Sequence, residues 1–215
     1  MRDFSHLDIL FALIWAARWT LLLSGVAFVC GGLAGFILLL LRISPFQPVR
    51  YLSWLYSEIV QGTPLLIQFL IAFFGLSIVG FNLTPWTSAT IALTTFTSAF
   101  LGDIWRGSVE AIPREQWEAS RALSLNYFQQ LSLVILPQAI RSAIAPTVGF
   151  LAQVIKGTSL ASSIGFVELA RTATNISNVT FEPFFVYLVT AIVYFCICFP
   201  ISVFSRTLEK KLARI

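Results

Sequence analysis

Glu58, Gln61 and Gln68 recur at helical spacing inside one apolar run, and Gln153, Lys156 and Ser163 do the same inside another. Residues three, seven or ten apart share a helix face, so each run carries a polar stripe within hydrocarbon. Such a stripe can line a wet path for a polar solute, with Lys156 drawing a carboxylate and Glu58, at a different depth, an ammonium. It can equally hold helices together through hydrogen bonds, the lysine stem snorkelling to the interface. Covalent chemistry has no such support. An intramembrane hydrolase needs a nucleophile beside a base, or paired aspartates or histidines, whereas the aspartates here are Asp3, Asp8 and Asp103 and the single histidine is His6. Cys30, Cys196 and Cys198 lie within apolar runs and read as packing residues, not as metal ligands or disulfides.

The other chemistry-bearing stretch is residues 112–141, the longest polar passage in the chain. Each ionic side chain at a bilayer centre costs roughly 3 kcal/mol, so this passage sits outside the hydrocarbon. Pro113 suits the first turn of a helix, and Glu115 and Glu118 favour the positive end of its dipole. Ser124 and Asn126 interrupt that helix. Asn126 can cap a second one, with Gln129 reaching back in a capping box. The second helix is expected over residues 127–135, ending or kinking before Pro137.

The elements that must position these groups follow from composition. Hydrophobic residues make up 57% of the chain and charged ones 11%, against about 25% charged in soluble domains. The chain therefore reads as an all-α membrane protein, a single transmembrane domain over residues 1–215. Five spans are expected at about residues 19–41, 52–79, 87–103, 139–164 and 184–204, the first long enough to cross about 30 Å of hydrocarbon. Residues 1–18 read as an interfacial lead-in and not as a cleaved signal, and residues 165–182 as a loop. Gly62 and Pro64 break the second span near one end. Gly31 and Gly35, and Gly25 with Gly32, suit close helix packing. The Thr and Ser side chains of the third span suit packing or a lined path.

Charge sets the orientation. Arg42, Arg50, Arg106, Arg114, Arg121, Arg141, Arg206, Lys210, Lys211 and Arg214 fall on one side, Arg2, Arg18 and Arg171 on the other. The positive-inside rule then puts the N-terminus outside, and the C-terminus and residues 113–137 in the cytoplasm. The net charge of +4 is loop bias, not a nucleic-acid surface.

These residues carry a resemblance. Glu118-Ala119-Ser120, then Ser124, then Val134-Ile135-Leu136-Pro137 is similar to the EAA loop of ABC importer membrane subunits: E-A-A, three residues, G, nine residues, I-x-L-P. Ser120 stands for alanine, Val134 for isoleucine and Ser124 for the glycine that eases a left-handed turn. Gly62-Thr63-Pro64-Leu65-Leu66 resembles R-G-T-P-L, and Lys156-Gly157-Thr158-Ser159-Leu160-Ala161 resembles K-D-T-S-L-A, of permeases importing polar amino acids, the histidine and glutamine group. Gln61 replaces the usual arginine and Gly157 the usual aspartate, which leaves Lys156 without a neighbouring counter-charge.

The resemblance implies a permease of the bacterial inner membrane with a five-helix core of the methionine-importer type. Its cytoplasmic hairpin would dock on an ATPase through Glu118, Ala119, Ser120, Ser124, Leu136 and Pro137. It implies two ATP-binding subunits, a second permease (identical or paralogous), an extracytoplasmic binding protein and a polar amino acid as substrate. Thr158 joins the path candidates Glu58, Gln61, Gln68, Gln153 and Lys156 on the same ground. The chain has no G-x-x-x-x-G-K-[ST] loop, so ATP and magnesium are expected on the partner subunits, with no cofactor and no enzymatic role here. The alternative is a channel or secondary carrier for a small polar solute, which would need no docking hairpin and would carry a filter or an inverted repeat.

Overall fold

A computed structural model of the chain describes residues 5–212. Arg2 and Arg214, counted in the charge asymmetry, and Asp3 lie outside the described residues. The first helix, α1, spans His6–Arg42. It starts so early because Ser5 and Asp8 form a capping box, the Ser5 N–H donating to the Asp8 carboxylate at 3.1 Å. The expected lead-in is thus the first part of the first span. The helix is about 55 Å long at 1.5 Å per residue, well over the hydrocarbon thickness.

The region expected to be a second span is two helices, α2 Gln47–Gly62 and α3 Leu65–Ile78, meeting at 102°. Pro64 forces Thr63 into an extended conformation, which ends α2. The break leaves carbonyls without intrahelical partners, and Gln68 supplies them. Its Nε2 donates to the Val60 oxygen at 2.8 Å and the Thr63 oxygen at 3.0 Å.

Helix α4, Pro85–Glu110, is capped by Thr84 and runs through the middle of the bundle. This expected third span is not among the helices that are apolar enough to cross a membrane, and of its Thr and Ser residues Ser88, Thr97 and Ser98 are buried. The glycines of α1 explain this. A Cβ at Gly31 would lie 2.5 Å from that of Thr97, and one at Gly35 would lie 3.0 Å from the Ser98 oxygen, so the two backbones touch where only glycine fits. Gly25, by contrast, has nothing within 4 Å.

The hairpin helix α5, Arg114–Ala122, leads into α6, a helical run over Tyr127–Ile164. With Leu136 in the α region at φ −59° and ψ −43°, the helix expected to end or kink before Pro137 does not end there. Residues Gln130–Ile135 widen into π geometry just before it, which accommodates the missing proline N–H and the ring that would strike a carbonyl one turn back. The run tightens to 3-10 geometry over Thr158–Ile164 and ends at Gly165, whose φ is +85°. The segment expected as a loop contains α7, Leu169–Thr180, and α8 follows as Pro183–Leu212.

Among the described residues, α1, α6 and α8 are long and apolar enough to cross a membrane, or four spans if α2 with α3 counts as one. Apolar packing joins them in three groups. Leu23, Phe69, Leu93, Phe96, Phe150 and Val154 fill the centre, with Phe100 stacked on Phe150 at 5.4 Å. Ile9, Leu13, Leu169 and Val186 tie α1 to α7 and α8. Leu39, Val109, Leu131, Ile135 and Ala139 seat the hairpin on the ends of α1 and α4. In lipid this close packing holds the helices through dispersion, since hydrocarbon competes equally for apolar surface.

Candidate functional site

The hairpin forms for the local reasons its sequence suggests. Asn126 Oδ1 accepts from the Gln129 N–H at 3.0 Å, and Gln129 Oε1 accepts from the Asn126 N–H at 2.9 Å. Ser124 takes the left-handed conformation that the family places a glycine in, with φ of +57°. Behind it the Leu125 N–H closes on the Ser120 oxygen at 3.3 Å, satisfying an end carbonyl of α5. Holding a residue with a Cβ there costs on the order of 1 kcal/mol. Ser124→Gly is therefore expected to raise stability by about that amount, read as a higher thermal midpoint of the purified protein; an unchanged midpoint would mean the turn carries no strain.

Hairpin and bundle are fastened together. Trp117 stacks on Tyr127 at 6.4 Å, and the Tyr127 hydroxyl donates to the Ile43 carbonyl just past the end of α1. The six residues expected to contact a partner then separate. Glu118, Ala119, Ser124 and Pro137 are exposed. Leu136 is half-buried in the hairpin core, and Ser120 is buried with its hydroxyl on the Trp117 oxygen at 2.8 Å. Ser120 thus shapes the hairpin from inside. Leu123 and Phe128, on the same hairpin, are 73% and 77% exposed, an apolar pair without a motif to mark it in the sequence.

The path candidates divide the same way. Glu58, Gln153 and Lys156 are exposed, and among the described residues their side chains make no hydrogen bond or ion pair. Gln61 is turned inward, its Nε2 donating to Asp103 Oδ2 at 3.0 Å and to the Ala99 oxygen at 3.2 Å. Gln68 is spent on the broken helix, and Thr158 is fully buried with its hydroxyl on the Ile155 oxygen. Their donors serve the fold, while Glu58, Gln153 and Lys156 leave a charged or amide head on a surface that lipid cannot solvate. A Cβ at Gly157 would lie 3.0 Å from a Leu65 methyl, so the start of α3 meets α6 beside Lys156, where the family carries an aspartate.

Two acidic residues outside the candidate set organise the interior. Asp103 accepts from Arg42 at 3.2 Å, Arg106 at 3.1 Å and Gln61. Its pairing with Arg106 at i,i+3 was visible in the sequence. Glu168 had no such signal. It is fully buried, caps α7 by accepting from the Arg171 N–H at 2.9 Å, and accepts from Thr20 at 3.2 Å and Tyr194 at 3.0 Å, partners 148 and 26 residues away.

With this geometry in view, the comparisons with known proteins are informative. Residues 27–214 match the family model described as binding-protein-dependent transport system inner membrane component. The chain is 34% identical over 195 residues to Bacillus subtilis YckA, named "Probable amino-acid ABC transporter permease protein", covering 91% of this chain and 86% of that one. It is also 34% identical to the L-cystine transport system permease protein TcyB of the same organism, over 91% and 84%. Among solved structures, an amino acid ABC transporter crystallised with histidines superposes with a TM-score of 0.91 at 29% identity, covering 98% and 99% of the two chains. The methionine ABC transporter MetNI, inward facing, shares the fold at a TM-score of 0.71 and 17% identity.

Proposed function

Because the chain belongs to the family of binding-protein-dependent transport system inner membrane components, we propose that it is the multi-pass inner-membrane permease of an ATP-driven amino acid importer. The observation that carries the mechanism is the unbroken helical run of α6. It begins at the hairpin, whose outer face presents Glu118 and Ala119, and reaches Gln153 and Lys156 about 40 Å away at 1.5 Å per residue. Pro137 and Pro146 are the two points in its α-helical part where a backbone donor is missing, and the widened π turn before Pro137 accommodates the first. A shift imposed on the hairpin by an ATPase is thereby carried to the polar groups as a movement of one rod.

The remaining parts follow from what the chain lacks. With no phosphate-binding loop of its own, it takes its driving force from two ATP-binding subunits that hold ATP and magnesium. Glu58, Gln153 and Lys156 become solvated when a second permease, a copy or a paralogue, closes a wet path against them. An extracytoplasmic binding protein delivers substrate on the side opposite the hairpin. An amino acid carries a carboxylate for Lys156 and an ammonium for Glu58, with Gln153 as a neutral hydrogen-bonding partner. The cystine permease and the histidine-bearing transporter among its relatives support that substrate class.

The test is uptake into proteoliposomes containing the assembled importer. Lys156→Gln and Glu58→Gln are each expected to lower uptake about tenfold, the equivalent of one charge-assisted contact, with assembly and basal ATP hydrolysis kept. Unchanged uptake kinetics in both variants would return these residues to a packing role.

A further inference from the structure

A cavity of about 660 Å³ opens where α1 ends, α2 begins and α4 approaches the hairpin. Arg42, Arg50 and Arg106 line it with Glu110, Tyr51 and Trp54. Asp103 engages both Arg42 and Arg106, and Arg106 also pairs with Glu110. Three guanidinium groups therefore meet two carboxylates, and Arg50 has no ion pair among the described residues. The Arg42 side chain is only 8% exposed, with Nη2 on Asp103 and Nη1 buried without a partner among the described residues. An unpaired buried donor on a charged group is costly, and it marks the place of an absent acceptor.

We propose that this cavity binds the phosphate of an anionic lipid headgroup. A phosphate presents several oxygens to planar guanidinium forks, so one group can satisfy Arg42 and Arg50 together. The surroundings point to lipid as its source. Tyr51 and Trp54 lie with ring centroids 5.5 Å apart, an aromatic pair of the kind found at headgroup level. Phe46, Leu52 and Leu55, next to the lining residues in sequence, are exposed and give acyl chains an apolar surface. Arg42 at the end of α1 and Arg50 near the start of α2 put the cavity on the side that the positive-inside rule assigns to the cytoplasmic leaflet, whose anionic lipids attract arginine. The site is independent of which solute the permease carries.

Native mass spectrometry of the protein released from nanodiscs holding both phosphatidylglycerol and phosphatidylcholine tests it. Phosphatidylglycerol should be retained in preference, and Arg42→Gln or Arg50→Gln should each weaken retention about fivefold. Arg50→Gln removes no ion pair of the fold, so it separates lost binding from misfolding, with elution profile and circular dichroism as controls. Equal retention of the two lipids, or retention of phosphatidylglycerol unaltered in both variants, overturns the site. In phosphatidylcholine alone, inorganic phosphate should give no Arg50-dependent thermal shift; a saturable one would make the occupant a soluble phosphate and overturn the lipid assignment. Loss of the ATPase subunits from the Arg50→Gln complex with lipid retention unchanged would assign the arginines to a protein contact and overturn it as well.

Discussion

Ala119→Arg is expected to abolish transport while the permease still inserts and folds. Ala119 is exposed on α5 and touches nothing in the hairpin core, so a long charged side chain there has room in the isolated chain. On docking, the same side chain would enter a packed contact. Overpacking alone costs about 1–3 kcal/mol, and burying an unpaired charge adds to it, so affinity for the ATPase should fall roughly a hundredfold. Co-purification of the ATPase subunits and substrate-stimulated ATP hydrolysis measure this, and normal uptake would mean that the exposed face of α5 is not where force enters. Ser120→Arg makes the contrast. Ser120 is buried beneath the same helix, so that variant should damage the hairpin itself and lower yield as well as coupling.

Glu168→Ala should produce the largest loss of stability of any single truncation considered. The carboxylate, itself without solvent exposure, accepts hydrogen bonds from the buried Thr20 on α1, from the half-buried Tyr194 on α8 and from the first turn of α7. Removing it takes the shared acceptor from the buried Thr20 hydroxyl and the half-buried Tyr194 hydroxyl, at about 1–3 kcal/mol for each donor left unpaired. It also removes the cap of α7, worth about 1 kcal/mol. A total of roughly 3–7 kcal/mol is a large share of ordinary domain stability, so little monodisperse protein should survive detergent extraction. Glu168→Gln keeps one acceptor oxygen and should cost less, and Tyr194→Phe, which deletes one donor, should cost least. An alanine variant with the wild-type thermal midpoint would show that the three helices hold together without this carboxylate.

Much of the hairpin was legible because its determinants are local. Asn126 and Gln129 cap one another across three residues, and the E-A-x spacing with its later leucine-proline pair survives in order. The family glycine predicts a left-handed turn, and Ser124 occupies it. The polar stripes were half legible. Helical spacing picked out six polar residues but could not say which had already spent their donors. Gln61 is committed to Asp103, and Gln68 to carbonyls freed by a bend whose angle no periodicity encodes.

By itself, the sequence determined the membrane class, the polar hairpin with its caps, and the glycine face of α1, because bilayer cost, capping and close approach each act on residue types within a turn or two. Only the tertiary structure decided the 102° break between α2 and α3, the passage of α6 through Pro137, and the joining of α1, α7 and α8 at Glu168. A bend depends on what the far helix packs against, and a proline is tolerated when neighbouring turns can widen into π geometry. A buried carboxylate is tolerated only where its donors converge, and here one of those donors comes from 148 residues away.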